Sequence, residues 1–370
     1  MRTLFAYVSK TYLGLFAAIF AAILAIFLVT DFVDRAKAYT GPNWVFDVLE
    51  LYAWKAVLVA QQLAPAALLL AAGAAISVIR KRGELTAIDA LAFGPRAVYL
   101  PIALWSALLC VGFVFFDEYA VVKAGPRVDE ITTSRFNRWG DWRFYFQPKQ
   151  WFRLGDRIFY LRSGDAEQGF RDVTVLRLTP EFELVRRIDA QQMHHVEGTR
   201  WRLVQMTDRS FGPGNESEVQ TQSEAVYDLG APGNAFRIRK GRPEQMRLPV
   251  LLEQIDARAE VGLPTQQFRL AMHNRFAYPL AGFPAALLAV GLALRRERKG
   301  HLTTALLEGL AIAVGLWGVM VVCKTLVLSE RMSPVVAAWT PFAALVLAAL
   351  FVFLRNDARF QRRPRVQPSR

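Results

Sequence analysis

The chain is poor in the side chains that grip metals, staple loops or attack substrates. Of its 370 residues only two are cysteine and four are histidine. Cys110 and Cys323 both lie inside long apolar runs, where they build neither a disulfide framework nor a zinc site. His194 and His195 are neighbours in a strand-like stretch, so they point to opposite faces and cannot hold one ion together. The Gly-rich loop that cradles nucleotide phosphates is missing, as are the H-E-x-x-H zinc helix and the Ser-centred elbow of hydrolases. The reading is therefore not an enzyme, with no metal and no catalytic residue.

Missing charge says more. Residues 11–30, 56–79, 97–116, 276–294 and 332–354 contain no Asp, Glu, Lys or Arg, and residues 302–323 contain only Glu308. Crossing the hydrocarbon core takes about 20 residues of helix, so each run is long enough to span a bilayer. The order is three spans, a polar insert, then three spans. A soluble enzyme, a disordered tail protein and a secreted disulfide-stapled domain are excluded. The first run is also too long for a signal-peptide core, and Asp31, Asp34 and Arg35 separate it from the small-x-small tripeptide at residues 36–38.

A net charge of +13 would suit nucleic acid if it were gathered in a domain. Residues 118–268 hold 22 basic and 21 acidic side chains, leaving 23 and 11 for the rest, so the excess belongs to the membrane flanks. No nucleic-acid partner is implied. Sixteen Lys and Arg fall in residues 1–11, 80–96, 295–301 and the tail from 355, against seven in the alternate short segments. The positive-inside rule then puts both termini in the cytoplasm and the insert outside. An ionisable group within a span is by default a functional suspect, which singles out Glu308, although it lies about two turns from the cytoplasmic end, where it can reach the interface or pair with an arginine.

The insert reads as β-structure. Phe144 and Phe146, Ile158 and Tyr160, Val173 and Val175, and Trp201 and Leu203 recur at every second position. Turn signals at 154–156, 163–165, 197–198 and 212–214 interrupt them, which predicts a sandwich or jelly roll. Leu248, Leu251, Leu252 and Ile255 then take helical spacing, predicting an amphipathic helix near the outer membrane face. The expected division is 1–117 (spans one to three), 118–268 (β-domain ending in that helix) and 269–370 (spans four to six and a basic tail).

Between spans two and three runs Arg82-Gly83-Glu84-Leu85-Thr86-Ala87-Ile88-Asp89, ending at Gly94-Pro95. Leu85, Ile88 and Ala92 share one face, and Gly followed by Pro is a strong stop, so a short amphipathic helix is expected over 83–94 on the cytoplasmic side. Its apolar face needs a cover, either the protein's own spans or a groove on a partner. Glu84 reads either as a carboxylate favoured at a helix start or as a docking residue.

With this segment the chain resembles the permease subunits of the lipopolysaccharide exporter, the LptF/LptG family. The likeness rests on the three-insert-three layout, the R-x-E-L helix at 82–94, and the stretch from Leu251 through Ile255, His273, Arg275, Tyr278 and Pro279. The end of span one, Phe32-Val33-Asp34-Arg35 with Lys37 beyond, is closer to LptG than to LptF. The resemblance implies six transmembrane helices and an inserted periplasmic β-jelly roll in the inner membrane of a Gram-negative bacterium. It also implies a heterodimer with an LptF-like paralogue, a cytoplasmic LptB-like ATPase dimer carrying ATP and magnesium, and an LptC-like single-span partner. The chain itself binds no cofactor.

In that frame Arg82, Glu84, Leu85, Ile88, Asp89 and Gly94 form the coupling helix to the ATPase, with Glu84 as its docking glutamate. Arg35 and Lys37 stand at the height of the lipid headgroup, where they either meet its phosphates as charge-assisted donors or snorkel as ordinary helix-end cations. Where relatives can carry a base before Phe32-Val33-Asp34, this chain has Asp31, so the headgroup contact is arranged differently. The alternatives are the LptF-type paralogue and a non-transporting membrane sensor or scaffold with a β-domain.

Overall fold

The computed structural model describes residues 2–91, 96–136, 150–165, 169–212, 217–231, 233, 242–260, 263–295 and 302–361. In chain order they form α1 (Arg2–Arg35), α2 (Trp44–Lys81), α3 (Glu84–Ala90), α4 (Arg96–Phe116) and α5 (Val122–Ser134). Strands β1 (Gln150–Leu154), β2 (Arg157–Asp165), β3 (Gly169–Leu178), β4 (Leu184–Glu197), β5 (Arg200–Phe211) and β6 (Ser217–Asp228) follow. Then come α6 (Leu248–Glu260), α7 (Gln266–Leu280), α8 (Gly282–Arg295), α9 (Leu302–Leu328) and α10 (Pro334–Gln361). Two compact units result, Met1–Arg138 with Leu270–Arg370, and Trp139–Arg269.

Six helical stretches are long and apolar enough to cross a membrane: α1, α2, α4 running on into α5, α7 with α8, α9, and α10. In lipid the helices gain nothing by hiding oil from oil, so they associate through close packing of small side chains. The centre of the unit follows that rule. Ala64, Ala67, Ala71, Ala72, Ala74 and Ala75 on α2 are all buried, and α1, α5, α8 and α9 pack around that helix. The apolar window of α2 is 78% buried, whereas that of α1 is 0% and that of α9 is 11%, so α2 is the hub and the other two are rim. Gly282 marks the tightest approach. A Cβ there would stand 2.6 Å from Leu68 Cδ1 and 3.3 Å from both Cys110 Sγ and Pro65 Cα. Pro279 removes a backbone donor just before Ala281, where span four breaks into α7 and α8.

The helix that begins with α4 does not stop at residue 117. It passes through a π turn, Asp117–Val121, into α5, so the first unit extends to Arg138 and the boundary at 117/118 falls inside a continuous helical stretch. The apolar pattern ends at Phe116 because Asp117 and Glu118 interrupt it, while the backbone carries on.

In the second unit all six strands pair with their sequence neighbours in one antiparallel sheet, β1-β2-β3-β4-β5-β6. Its core holds Phe159, Leu161, Phe170, Val173, Val175, Ile188, Met193, Trp201, Leu203 and Met206. Val173, Val175, Trp201 and Leu203 face inward as their alternation predicts. On β2 the expectation is reversed: the buried residues are Phe159 and Leu161, while Ile158 and Tyr160 lie on the half-exposed face and Tyr160 packs on Trp151 at 4.8 Å. Four successive apolar residues give no period, so the neighbouring strand decides the face. Phe144 and Phe146 lie outside the described residues, as does most of the 212–214 turn. Gly155 and Gly198 occupy turns with φ of +60° and +58°, where a side chain would be strained. The 163–165 signal instead belongs to β2, whose Gly164 pairs with Phe170. Helix α6 buries Leu251, Gln254, Ile255 and Ala257 and leaves Leu252 exposed.

Candidate functional site

Two polar assemblies lie at opposite ends of α1. At 1.5 Å per residue, Tyr7 and Arg35 are separated by about 42 Å along the helix, more than the hydrocarbon thickness.

The first assembly is the corner between α2 and α3. Gly83 turns the chain with φ +75°, and α3 starts at Glu84. Ile88 is buried at 6% exposure and Leu85 packs beside it, both against the core that contains Val8, Tyr12, Ile76 and Ile79. The apolar face of the short helix is thus covered by the chain's own spans. Arg82, Thr86, Ala87, Ala90 and Leu91 are left exposed. Tyr7 donates to the Glu84 carboxylate, at 2.8 Å from Oε1 and 2.7 Å from Oε2, and Arg82 Nη1 donates to the Tyr7 hydroxyl at 3.0 Å. Asp89 is part of α3, while Gly94 lies outside the described residues.

At the other end, Asp31 gathers what the sequence had scattered. Its Oδ1 accepts from Arg35 Nε at 3.0 Å, and its Oδ2 accepts from the Tyr52 hydroxyl at 2.7 Å and from Lys55. Lys55 also stands 5.2 Å over the Tyr52 ring. Tyr39, Phe32 and Tyr52 brace this end, with Phe136 of the α5 end 5.0 Å from Tyr39. Arg35 is half-exposed and bound to Asp31, whereas Lys37, on the 3-10 turn Ala36–Ala38, is exposed and makes no ion pair among the described residues. Arg135 at the end of α5 is tied to Asp47 and Glu50 of α2 at 2.6 and 2.7 Å, and those two carboxylates raise its already high pKa further.

Three residues were missed by sequence reading. Tyr7 and Lys55 have no motif, and their partners lie 77 and 24 positions away. Arg275 was noticed only as part of a resemblance. It is buried in span four and pairs with Asp117 and Glu118 at the π turn, at 2.9 and 2.7 Å. The clue was available: three ionisable residues at the edges of apolar runs need partners. Glu308 is exposed on α9. Among the described residues no group of three or more His, Cys, Asp or Glu side chains is placed to hold a metal ion.

A membrane protein whose spans pack around one small-residue helix, with a separate antiparallel unit inserted after the third span, has the layout of a permease subunit. A family model, the lipopolysaccharide export system permease LptF/LptG, matches residues 6–355, nearly the whole chain. The chain belongs to that family. A search of curated proteins found no match. Membership makes the chain a membrane permease subunit of a lipopolysaccharide export system with partner subunits, and its apolar helices fit an inner-membrane location.

Proposed function

We propose that the chain is the LptG-like permease of an ATP-driven exporter that extracts lipopolysaccharide from the inner membrane and passes it to a periplasmic bridge. The observation that carries this reading is the α2–α3 corner. It presents a carboxylate at the start of a short helix whose apolar face is sewn to the spans and whose other face is open. Such a helix suits a lever: a cytoplasmic ATPase dimer grips the open face, and the packed face conveys its motion inward. Arg82 and Glu84 form the grip at the corner, Leu85 and Ile88 the attachment, with Asp89 and Gly94 completing the coupling segment. ATP and magnesium belong to the ATPase, which resembles LptB.

In this reading both termini are cytoplasmic and the sheet is periplasmic, forming a jelly-roll surface continued by LptC. Arg35 and Lys37, with Lys55 beside them, meet the phosphates of the lipid head at the outer interface. Asp31 holds Arg35 and Lys55 in place until a stronger anion arrives, which is how a chain with an acid at this position still offers cations. Closure of the ATPases moves the spans as rigid bodies, and the cavity shared with the paralogue narrows and expels lipid.

The test is co-purification from mild detergent followed by reconstitution. An ATPase and an LptF-like paralogue should accompany the chain, and lipopolysaccharide release should require ATP. Recovery of an LptG-like paralogue instead assigns the chain to the LptF position. A chain that recruits no ATPase and moves no lipid is a sensor or scaffold. Glu84→Ala should uncouple ATP turnover from release, and normal transport by that variant would end the coupling role.

A further inference from the structure

The carboxylate at the start of α3 is held from within the chain, by a side chain of the first span. The single proton of the Tyr7 hydroxyl is shared between the two oxygens of Glu84, at 2.8 and 2.7 Å. Donation to an ionised acceptor is roughly twice as strong as a neutral hydrogen bond. The acceptor side of that hydroxyl is filled by Arg82 Nη1 at 3.0 Å. One phenol therefore ties both residues that flank Gly83 to the second turn of α1. The joint between α2 and α3 is that glycine, whose missing side chain would meet nothing within 4 Å. The backbone link is tied to the end of α2 by Gly83 N–H donating to Arg80 O at 2.9 Å, and side chains hold the rest of α3: the contact to α1 together with Leu85 and Ile88 in the core.

The next positions on α1 are anchored. Val8 and Tyr12 are fully buried, and Tyr12 shares a 2.8 Å hydrogen bond with Ser106 of α4. Farther along, the apolar window of α1 is 0% buried, and the helix is next tied to α2 at Asp31, through Tyr52 and Lys55. A displacement applied at Tyr7 meets a tight fulcrum and then an unburied stretch that ends at the Asp31 tie.

We propose that Tyr7 is a positioning residue that makes α3 and α1 move as one body, so that a push on the coupling helix reaches the first span directly and not only through α2. The inference rests on the coupling reading of α3 and deepens it. Tyr7 sets the orientation of the Glu84 carboxylate and passes its displacement to α1, at whose far end Asp31 and Arg35 sit.

The experiment uses the complete complex, the chain with its paralogue and ATPase, in phospholipid vesicles loaded with lipopolysaccharide, and reads lipid released per ATP hydrolysed. Tyr7→Phe keeps the ring and removes the hydroxyl, and should lower that ratio roughly tenfold, the worth of a hydrogen bond to a charged group. In a Glu84→Gln background the same change should add little, because the two residues act as one unit. A ring that only filled space would give additive losses, and additivity or a normal ratio in Tyr7→Phe overturns the proposal. Hydrogen exchange supplies a second reading: amides of residues 84–90 should exchange faster in Tyr7→Phe, and unchanged exchange also overturns it. If Glu84→Ala itself transports normally, the coupling reading fails. If Glu84→Ala uncouples and Tyr7→Phe does not, only the role of Tyr7 fails.

Discussion

Arg275 and Asp117 meet across two spans, the Nε of one 2.9 Å from the Oδ2 of the other at the first residue of the π turn. The same guanidinium donates to Glu118 at 2.7 Å, and its side chain is only 4% exposed. Charges inside a membrane unit persist when they face the interior and are paired. A π turn admits an extra residue into the helix, and such turns are frequent at functional positions. Here the turn sits where span three passes into α5, the last helix before the β unit among the described residues. The pair therefore fastens the helix leading to that unit onto the helix returning from it.

Arg275→Met should lower stability by about 3–5 kcal/mol, because it strands two half-buried carboxylates rather than removing a neutral contact. The readout is the midpoint of thermal unfolding in detergent. Adding Asp117→Asn and Glu118→Gln to Arg275→Met should recover part of the loss, since the stranded charges are then gone. A single Arg275→Met chain that melts like the parent would show that the cluster contributes nothing.

Glycines in the spans should divide sharply by what surrounds them. Gly282→Ala places a methyl 2.6 Å from Leu68 Cδ1 and 3.3 Å from the Pro65 Cα. Leu68 can yield but the backbone at Pro65 cannot, so a loss of about 1–3 kcal/mol is expected from overpacking. Gly112→Ala, with nothing within 4 Å, should stay within about 0.5 kcal/mol of the parent. Parallel melts of the two variants check the contrast, and equal losses would refute it.

The six spans were legible because hydrocarbon imposes one demand, length without charge, that any reader of the sequence can count. The α3 corner was legible for a different reason, since Gly83 and the spacing of Leu85 and Ile88 are local. Which cover the apolar face takes was not, because Val8 and Tyr12 arrive from a distant helix. Tyr7 and Lys55 escaped for the same cause. A hydroxyl or an ammonium acquires its meaning from a partner that only the packing supplies. On β2 the sequence offered Ile158, Phe159, Tyr160 and Leu161 in succession, and a two-sided apolar strand has no period from which to choose. The helix of span three runs on past Phe116, which hydropathy alone does not show because it registers Asp117 and Glu118 but not the Arg275 paired with them.

The β unit should weaken in acid through one group in particular. Asp208 accepts from Arg186 Nε at 2.9 Å and from Tyr227 at 3.1 Å, and these bonds, Arg186 first, hold its pKa below the ordinary carboxylate range despite burial. A depressed folded-state pKa stabilises the fold above the unfolded value of about 3.9. That contribution disappears as pH falls through the lower, folded value. The protection of β4 and β5 amides, their exchange measured against the intrinsic rate at the same pH, should therefore fall as the solution is taken below about pH 4. Asp208→Asn should show a smaller acid response, and an identical response in both chains would remove Asp208 as its source.

The two faces of α3 lead to opposite expectations for two leucine-sized side chains three residues apart. Ile88 is 6% exposed and belongs to the spans' own core, whereas Leu91 is 69% exposed just past the helix end. Leu91→Asp should leave the chain folded and weaken recovery of the ATPase partner, with a loss of binding of roughly 1–3 kcal/mol if the residue is a buried anchor in the complex. Ile88→Asp buries a charge among apolar neighbours and should first destabilise the corner, so its melting temperature falls before any question of partner binding arises. Thermal melts and quantitative pull-down on the same preparations separate the two. If Leu91→Asp bound the ATPase normally while Ile88→Asp melted normally and lost it, the docking face would be the one packed here against the spans, and α3 would have to detach before it engages.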